Sequence, residues 1–226
     1  MPLSVLAVAD EVSPVLYDHL DPRRWKGIDC IVSCGDLAPD YLDFLATRLG
    51  VPLFYVRGNH DGSYDESDYA IGQNLHRKIV EYRGVRIAGL EGCRRYNHSS
   101  PQYTEREMSR FVRWERVAAF RRGAPNLVVS HAPPAGIQDG EDACHQGFES
   151  FNRLIEAWTP AYFIHGHTHA YDRKPTTTVV GNTTVVNVFP YYRFEVPARV
   201  PESRQARTPR TVPSGVEATE RPRGVS

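Results

Sequence analysis

Short apolar runs recur along the chain, and each stops abruptly at a small or polar residue. Residues 3–9 (Leu-Ser-Val-Leu-Ala-Val-Ala) predict a buried strand ending at Asp10, and residues 28–34 a second ending at Gly35-Asp36. Residues 51–56 predict a third, ending at Gly58-Asn59. Between the second and third, Leu42, Leu45, Ala46 and Leu49 share one helical stripe, so Pro39 opens a helix that Gly50 stops. Pro14 is placed to open a shorter helix through about Leu20. Strand, helix, strand, helix, strand implies parallel pairing through right-handed crossovers.

Further on, residues 62–76 are polar and irregular, and residues 78–82 and 85–90 flank Arg83-Gly84 as a hairpin. Thr104 with Glu107 forms a capping box for a helix reaching about Arg121. Strands follow at 126–130, ending at His131, and at 161–165, ending at Gly166-His167-Thr168-His169, with a helix from about 146 to 157 between them. Residues 176–180 and 183–188 flank Gly181-Asn182, a favoured two-residue hairpin turn, and 191–196 adds one strand. From Pro197 onward Pro, Arg, Ser, Thr and Glu displace apolar residues, which predicts one folded domain over 1–196 and a disordered, mildly basic tail over 197–226.

Composition narrows the classes. The 226 residues suit one large α/β domain, and 41% hydrophobic content can build a substantial core. A formal net charge of zero gives nucleic acid little support, and no apolar run reaches the ~20 residues of a membrane helix. Cys30, Cys34, Cys93 and Cys144 contain no C-x-x-C pair, which reads as reduced thiols in a cytoplasmic protein.

The chemistry lies at the strand ends. In open α/β sheets, groups beyond the carboxyl ends of the strands converge. Here those ends carry Asp10, Asp36, Asn59, His131 and the pair His167/His169. Taken singly, a Gly-Asp or Asn-His after a strand is an ordinary turn, and His165, inside its strand, reads as a core histidine. Together, carboxylate, amide oxygen and imidazole suit borderline or hard divalent ions such as Mn, Fe, Zn or Ni. A bridging carboxylate can hold two such ions ~3.5–4 Å apart for hydrolysis of a phosphoric ester.

Asp10, Gly35-Asp36, Gly58-Asn59-His60-Asp61, Ser130-His131 and Gly166-His167-Thr168-His169 resemble the motif set of the calcineurin-like metallophosphoesterase superfamily, across nearly all of the predicted folded part. The resemblance implies a four-layer α/β/β/α sandwich with a dinuclear site at the sheet edge. It implies that Asp36 bridges both ions, that Asp10 and His169 bind the first, and that Asn59, His131 and His167 bind the second. It gives His60 the role of proton donor to the leaving group, or of a clamp on phosphate. One departure stands out: the family's first motif is Asp-x-His, and here Val12 occupies the histidine position. The first ion is then expected to be held more weakly, unless Glu11, His98 or His145 substitutes.

Around this set, Arg94, Arg95, Tyr96 and His145 are candidates for substrate contact, against the plainer reading of surface ion pairs and loop hydrogen bonds. Asp40 and Asp61 are candidates for orienting His60. The chain also looks like a bacterial subgroup of the superfamily that carries both of these loops together with Gln102-Tyr103-Thr104-Glu105. The expectation is a metal-dependent phosphodiesterase or broad-specificity phosphatase acting on a small soluble, nucleotide-like ester. The competing expectation is a protein-binding scaffold on the same fold with a degenerate site.

Overall fold

In the computed structural model, residues 1–62, 64, 72–97, 101–169 and 174–198 are described. The predicted tail, apart from Pro197 and Ala198, and His98 lie outside them. The fold is mixed α/β, built on two mixed sheets.

The first sheet contains β1 (Leu3–Val8), β2 (Cys30–Ser33), β3 (Leu53–Tyr55) and β4 (Gln73–Asn74), all parallel. The last long strand, β13 (Tyr191–Val196), returns antiparallel on the outer side of β1, giving the order β13-β1-β2-β3-β4. The second sheet contains β5 (Lys78–Tyr82), β6 (Val85–Leu90), β9 (Leu127–Ser130), β10 (Tyr162–His165), β11 (Thr176–Val180) and β12 (Thr183–Asn187). Its order is β11-β12-β10-β9-β6-β5, with β6, β9, β10 and β12 parallel and the two edges closed by antiparallel hairpins. A separate parallel pair joins β7 (Cys93–Arg94) to β8 (Gln102–Tyr103).

Three apolar clusters account for four layers. Val5, Ala7, Cys30, Val32 and Phe54 of the first sheet pack with Val85, Ile87, Leu127, Val129, Ile164 and Val186 of the second, forming the core between the sheets. The outer face of the first sheet (Leu6, Val8, Ile31) is covered by Leu42 and Leu45 of α1 (Pro39–Leu49). The outer face of the second (Ala88, Val128, Phe163) is covered by Met108 and Val112 of α2 (Glu105–Arg122), and by Phe151, Leu154 and Ile155 of α3 (Glu149–Trp158). Strands buried on both faces explain why their sequences read as continuous apolar runs.

Some local predictions differ from the structure. Residues 14–19 form turns, and the helical turn that does form is a 3-10 turn at Pro22–Trp25, where the Asp21 side chain accepts from the Arg23 N–H and Pro22 opens the turn. The helix expected from residue 146 starts at Glu149, after Phe148 adopts extended backbone. Its first two N–H groups donate to a distant acceptor, Glu105 of α2, at 3.1 and 2.9 Å. The capping box of α2 forms as expected, with Thr104 and Glu107 each accepting from the other's backbone N–H. All four cysteines are free, and among the described residues no helix is long and apolar enough to cross a membrane.

Candidate metal centre

The parallel strands of both sheets point their carboxyl ends to one rim. Asp10 follows β1, Asp36 follows β2 and Asn59 follows β3, while His131 follows β9 and His167 follows β10. Ligand atoms of Asp36, His131 and His167 lie within 4.8 Å of one another, so the first sheet's carboxylate meets the second sheet's imidazoles.

The backbone is bent hard to do this. Asp10, Asp36 and His167 have φ of 63°, 56° and 69°, the left-handed region that non-glycine residues rarely adopt and that collects at functional sites. Glycines beside them allow close approach. A Cβ on Gly58 would sit 2.0 Å from Asp36 Oδ1 and 2.7 Å from His131 Cε1, and one on Gly166 would sit 2.5 Å from Asp10 Oδ2.

His131 is fully buried and its tautomer is fixed. Nδ1 donates to the Cys34 carbonyl at 2.8 Å, while Nε2 faces Asn59 Oδ1 at 2.9 Å and Asp36 Oδ2 at 3.4 Å. Two oxygen acceptors and an imidazole nitrogen thus converge on one point, an arrangement that only positive charge satisfies. Among the protein groups alone that charge is a proton. Burial opposes it, but the Asp36 and Asp10 carboxylates and the Cys34 carbonyl together raise His131 to about 9. Burial likewise opposes the Asp36 charge, but His131 together with His60 holds that carboxyl down to about 2. A carboxylate, an amide oxygen and imidazoles form a donor set suited to a divalent cation in the same place, so these residues fit such an ion.

His167 contributes from the other side. Its backbone N–H donates to both Asp10 oxygens at 3.0 and 2.9 Å, and its Nε2 donates to the Cys144 carbonyl at 2.8 Å, which leaves Nδ1 with the lone pair. Burial and the His131 charge push its pKa down to about 3. Asp10 is buried, which raises it to about 6 against the pull of His131. Its Oδ1 is 4.0 Å from His169 Nε2, and the His169 ring stacks on Phe189. Among the described residues, no group of three titratable ligands includes Asp10 or His169. Val12 is exposed beside them, and His145 instead packs against the His167 ring.

His60 stands at the mouth. Its backbone N–H donates to Asp36 Oδ1 at 2.9 Å, and its largely exposed ring brings Nε2 to 4.0 Å from Asp36 Oδ2. Asp61 Oδ2 accepts from the backbone N–H groups of Asp36 and Gly58, both at 2.8 Å, and so ties two ligand loops together. Asp40 is exposed in the first turn of α1. Tyr96 accepts from Asn59 Nδ2 at 3.3 Å. The Arg94 and Arg95 guanidiniums are engaged by Glu105 at 3.7 Å and Glu107 at 3.1 Å. His145 Nδ1 is held by Asp142 at 2.8 Å. His165 is buried, with its ring nitrogens 2.9 Å from the Gly166 carbonyl and 2.8 Å from the Gln138 side chain.

Glu91 is an important residue that pattern reading passed over, although it too follows a strand end, that of β6. It is 1% exposed, accepts from Arg57 Nε and Nη2, each at 2.8 Å, and from Tyr103 at 2.8 Å. Its neighbour Gly92 donates to the Arg57 carbonyl and accepts from Ala132 N–H, joining the Asn59 and His131 loops.

A family model described as calcineurin-like phosphoesterase matches residues 15–171, more than half of the chain. The chain belongs to the calcineurin-like phosphoesterase family. The match begins beyond Asp10 and Val12 and closes just after His169. The chain is also similar to an uncharacterised protein of Haemophilus influenzae, with 26% identity over 182 residues covering 68% of this chain and 78% of that protein. In fold it is similar to the crystal structure of TT1561 of Thermus thermophilus (TM-score 0.58, 15% identity), covering 87% of this chain and all of that one. A 5'-nucleotidase structure from Candida albicans (TM-score 0.50, 11% identity) covers 83% of this chain and 45% of that chain. These two likenesses, at such low identity, concern the fold of this phosphoesterase-family chain.

Proposed function

We propose that this chain is a metal-dependent phosphoric-ester hydrolase, a phosphodiesterase or broad-specificity phosphatase acting on a small soluble, nucleotide-sized ester. The observation that carries the reading is the meeting of Asp36, His131 and His167, with Asn59 Oδ1 2.9 Å from His131 Nε2, in a donor set suited to a divalent cation. Family membership supports it. Asp36 would bridge two divalent ions (Mn, Fe, Zn or Ni), with Asn59, His131 and His167 completing one and Asp10 and His169 the other. When bound, such ions supply Lewis acidity toward phosphoryl oxygens and a water of lowered pKa.

The chain's own residues do the rest. Cys34 and Cys144 carbonyls fix which nitrogen each imidazole presents. Asp61 holds the Asp36 and Gly58 loops against each other. His60, anchored through its backbone to Asp36 and open to solvent through its ring, donates a proton to the departing ester oxygen. Tyr96, held to Asn59, offers a ring for stacking at the rim. Arg94 and Arg95 reach phosphate by exchanging Glu105 and Glu107 for it.

A protein-binding scaffold is the second reading, favoured by one feature: exposed Val12 in place of a histidine ligand, next to an Asp10–His169 pair that joins no titratable cluster among the described residues. Assaying bis-p-nitrophenyl phosphate and p-nitrophenyl phosphate with Mn or Ni separates the two. The hydrolase is expected to turn over at least one of them, and His60→Ala to lower kcat by roughly 10²–10⁴-fold. Absence of turnover with every metal from acid to alkaline pH would favour the scaffold instead.

A further inference from the structure

Beside the candidate centre lies a cluster of different chemical character. Cys93 opens β7 and is fully buried; Cys144 sits on the 139–148 loop and is partly exposed. Their two Sγ atoms and a ring nitrogen of His167 lie within 4.8 Å of one another, and Cys144 Sγ is 3.9 Å from His167 Nε2. Three separate chain segments supply these groups. We propose that Cys93, Cys144 and His167 form a binding site for a thiophilic cation of the zinc and cadmium class, sharing His167 with the carboxylate-centred site but taking its other ligands from the two thiols.

The donor set selects the ion. Two thiolates and one imidazole favour a soft or borderline d10 cation over magnesium, calcium or manganese. Metal–sulfur bonds of about 2.3 Å and metal–nitrogen bonds of about 2.0–2.1 Å put tetrahedral ligands roughly 3.5–4 Å apart. The Cys144–His167 separation of 3.9 Å already falls there, and separations within 4.8 Å need side-chain shifts of about an ångström. His145 is adjacent: one of its ring nitrogens lies within 4.8 Å of Cys144 Sγ, and its ring packs on that of His167. Asp142 accepts from His145 Nδ1 at 2.8 Å and from the Cys144 backbone N–H at 3.0 Å, the carboxylate–histidine pairing that orients metal-binding imidazoles. The plainer role for Cys93, a small core residue whose thiol donates to the Arg94 carbonyl at 3.3 Å, does not require Cys144 or His167 to face it. An ion enters past partly exposed Cys144 and exposed Tyr96.

Binding releases the two thiol protons to solvent as two metal–sulfur bonds form, and no electron changes hands. His167 gives its Nε2 to the ion and moves its N–H to Nδ1, losing the hydrogen bond to the Cys144 carbonyl. A neutral imidazole has one lone pair, so His167 serves either this cation or the Asp36–His131 group. This exclusion rests on the hydrolase reading; the thiolate site does not.

The test uses the full-length reduced chain stripped with chelator and titrated with cadmium, read by ultraviolet thiolate-to-cadmium charge transfer. The expected result is a charge-transfer band that grows with added cadmium and saturates. It is lost in Cys144→Ala and Cys93→Ser but retained in Asp36→Asn, which removes the carboxylate of the other centre. Circular dichroism identifies a folded variant, and Cys144→Ala, at the more exposed position, carries the test if Cys93→Ser does not fold. No band, or a band indifferent to both cysteine substitutions, overturns the site. A band lost in Asp36→Asn overturns its independence. Neither outcome bears on phosphoesterase turnover, which is measured separately.

Discussion

Gly58 sets how closely the two sheets' ligand groups can approach. A methyl group there would overlap Asp36 Oδ1 and press on His131 Cε1, so one substitution displaces a group from each sheet. Gly58→Ala is expected to weaken metal binding about 10–100-fold, the range for changes that misplace ligands without removing them. It should also cost roughly 1–3 kcal/mol of stability through overpacking. Calorimetric titration with Mn and urea unfolding measure the two effects, and unchanged affinity would show that Asp36 and His131 are not both ligands. At this scale the identities of the polar residues at the rim were legible, because each interrupts an apolar run. Their partners were not. The Cys34 and Cys144 carbonyls that fix the imidazole tautomers are backbone atoms with no sequence signature. Asp61 acts on two backbone N–H groups, one of them 25 residues away.

Element boundaries are legible in the sequence where their determinants are local and illegible where they are not. The start of α2 is written in four residues, Thr104 to Glu107, and the helix begins where they say. The start of α3 depends on Glu105, 44 residues earlier, whose carboxylate accepts from the Glu149 and Ser150 N–H groups. Strands β4, β7 and β8 span two residues each, too short for any periodicity to show. The Glu105 contact makes a prediction: Glu105→Ala removes a cap from α3 and a partner of Arg94 together. The loss is expected to be about 0.5–2 kcal/mol in urea unfolding, with Glu105→Gln, which keeps an acceptor oxygen, losing less. Equal midpoints for wild type and alanine variant would mean that water caps α3 as well as Glu105 does.

For the whole molecule, alternating strands and helices implied parallel pairing, and β1 to β4 are indeed parallel. Apolar strands cannot announce which sheet they join, so the division into two sheets came from the family likeness rather than from periodicity. That division matters energetically. The proposed ligands are shared between the sheets: Asp10, Asp36 and Asn59 follow strands of the first, His131 and His167 strands of the second. An ion held by both therefore binds the folded chain and not the unfolded one. At free ion 100-fold above the dissociation constant this is worth about 2.7 kcal/mol. A chain of this size shifts by about 2–4 °C per kcal/mol, so chelation should lower Tm by roughly 5–10 °C, and added Mn or Ni should restore it. Metal counting on the same dialysed sample should find fewer than two ions per chain retained, since Val12 stands where a histidine would add to Asp10, Asp36 and His169, and among the described residues no titratable cluster includes Asp10 or His169. A thermal midpoint indifferent to both chelator and added metal would mean that no tightly held cation links the sheets. The rim would then be held by the Asp36–His131 ion pair and the Asp61 and Gly92 backbone contacts alone.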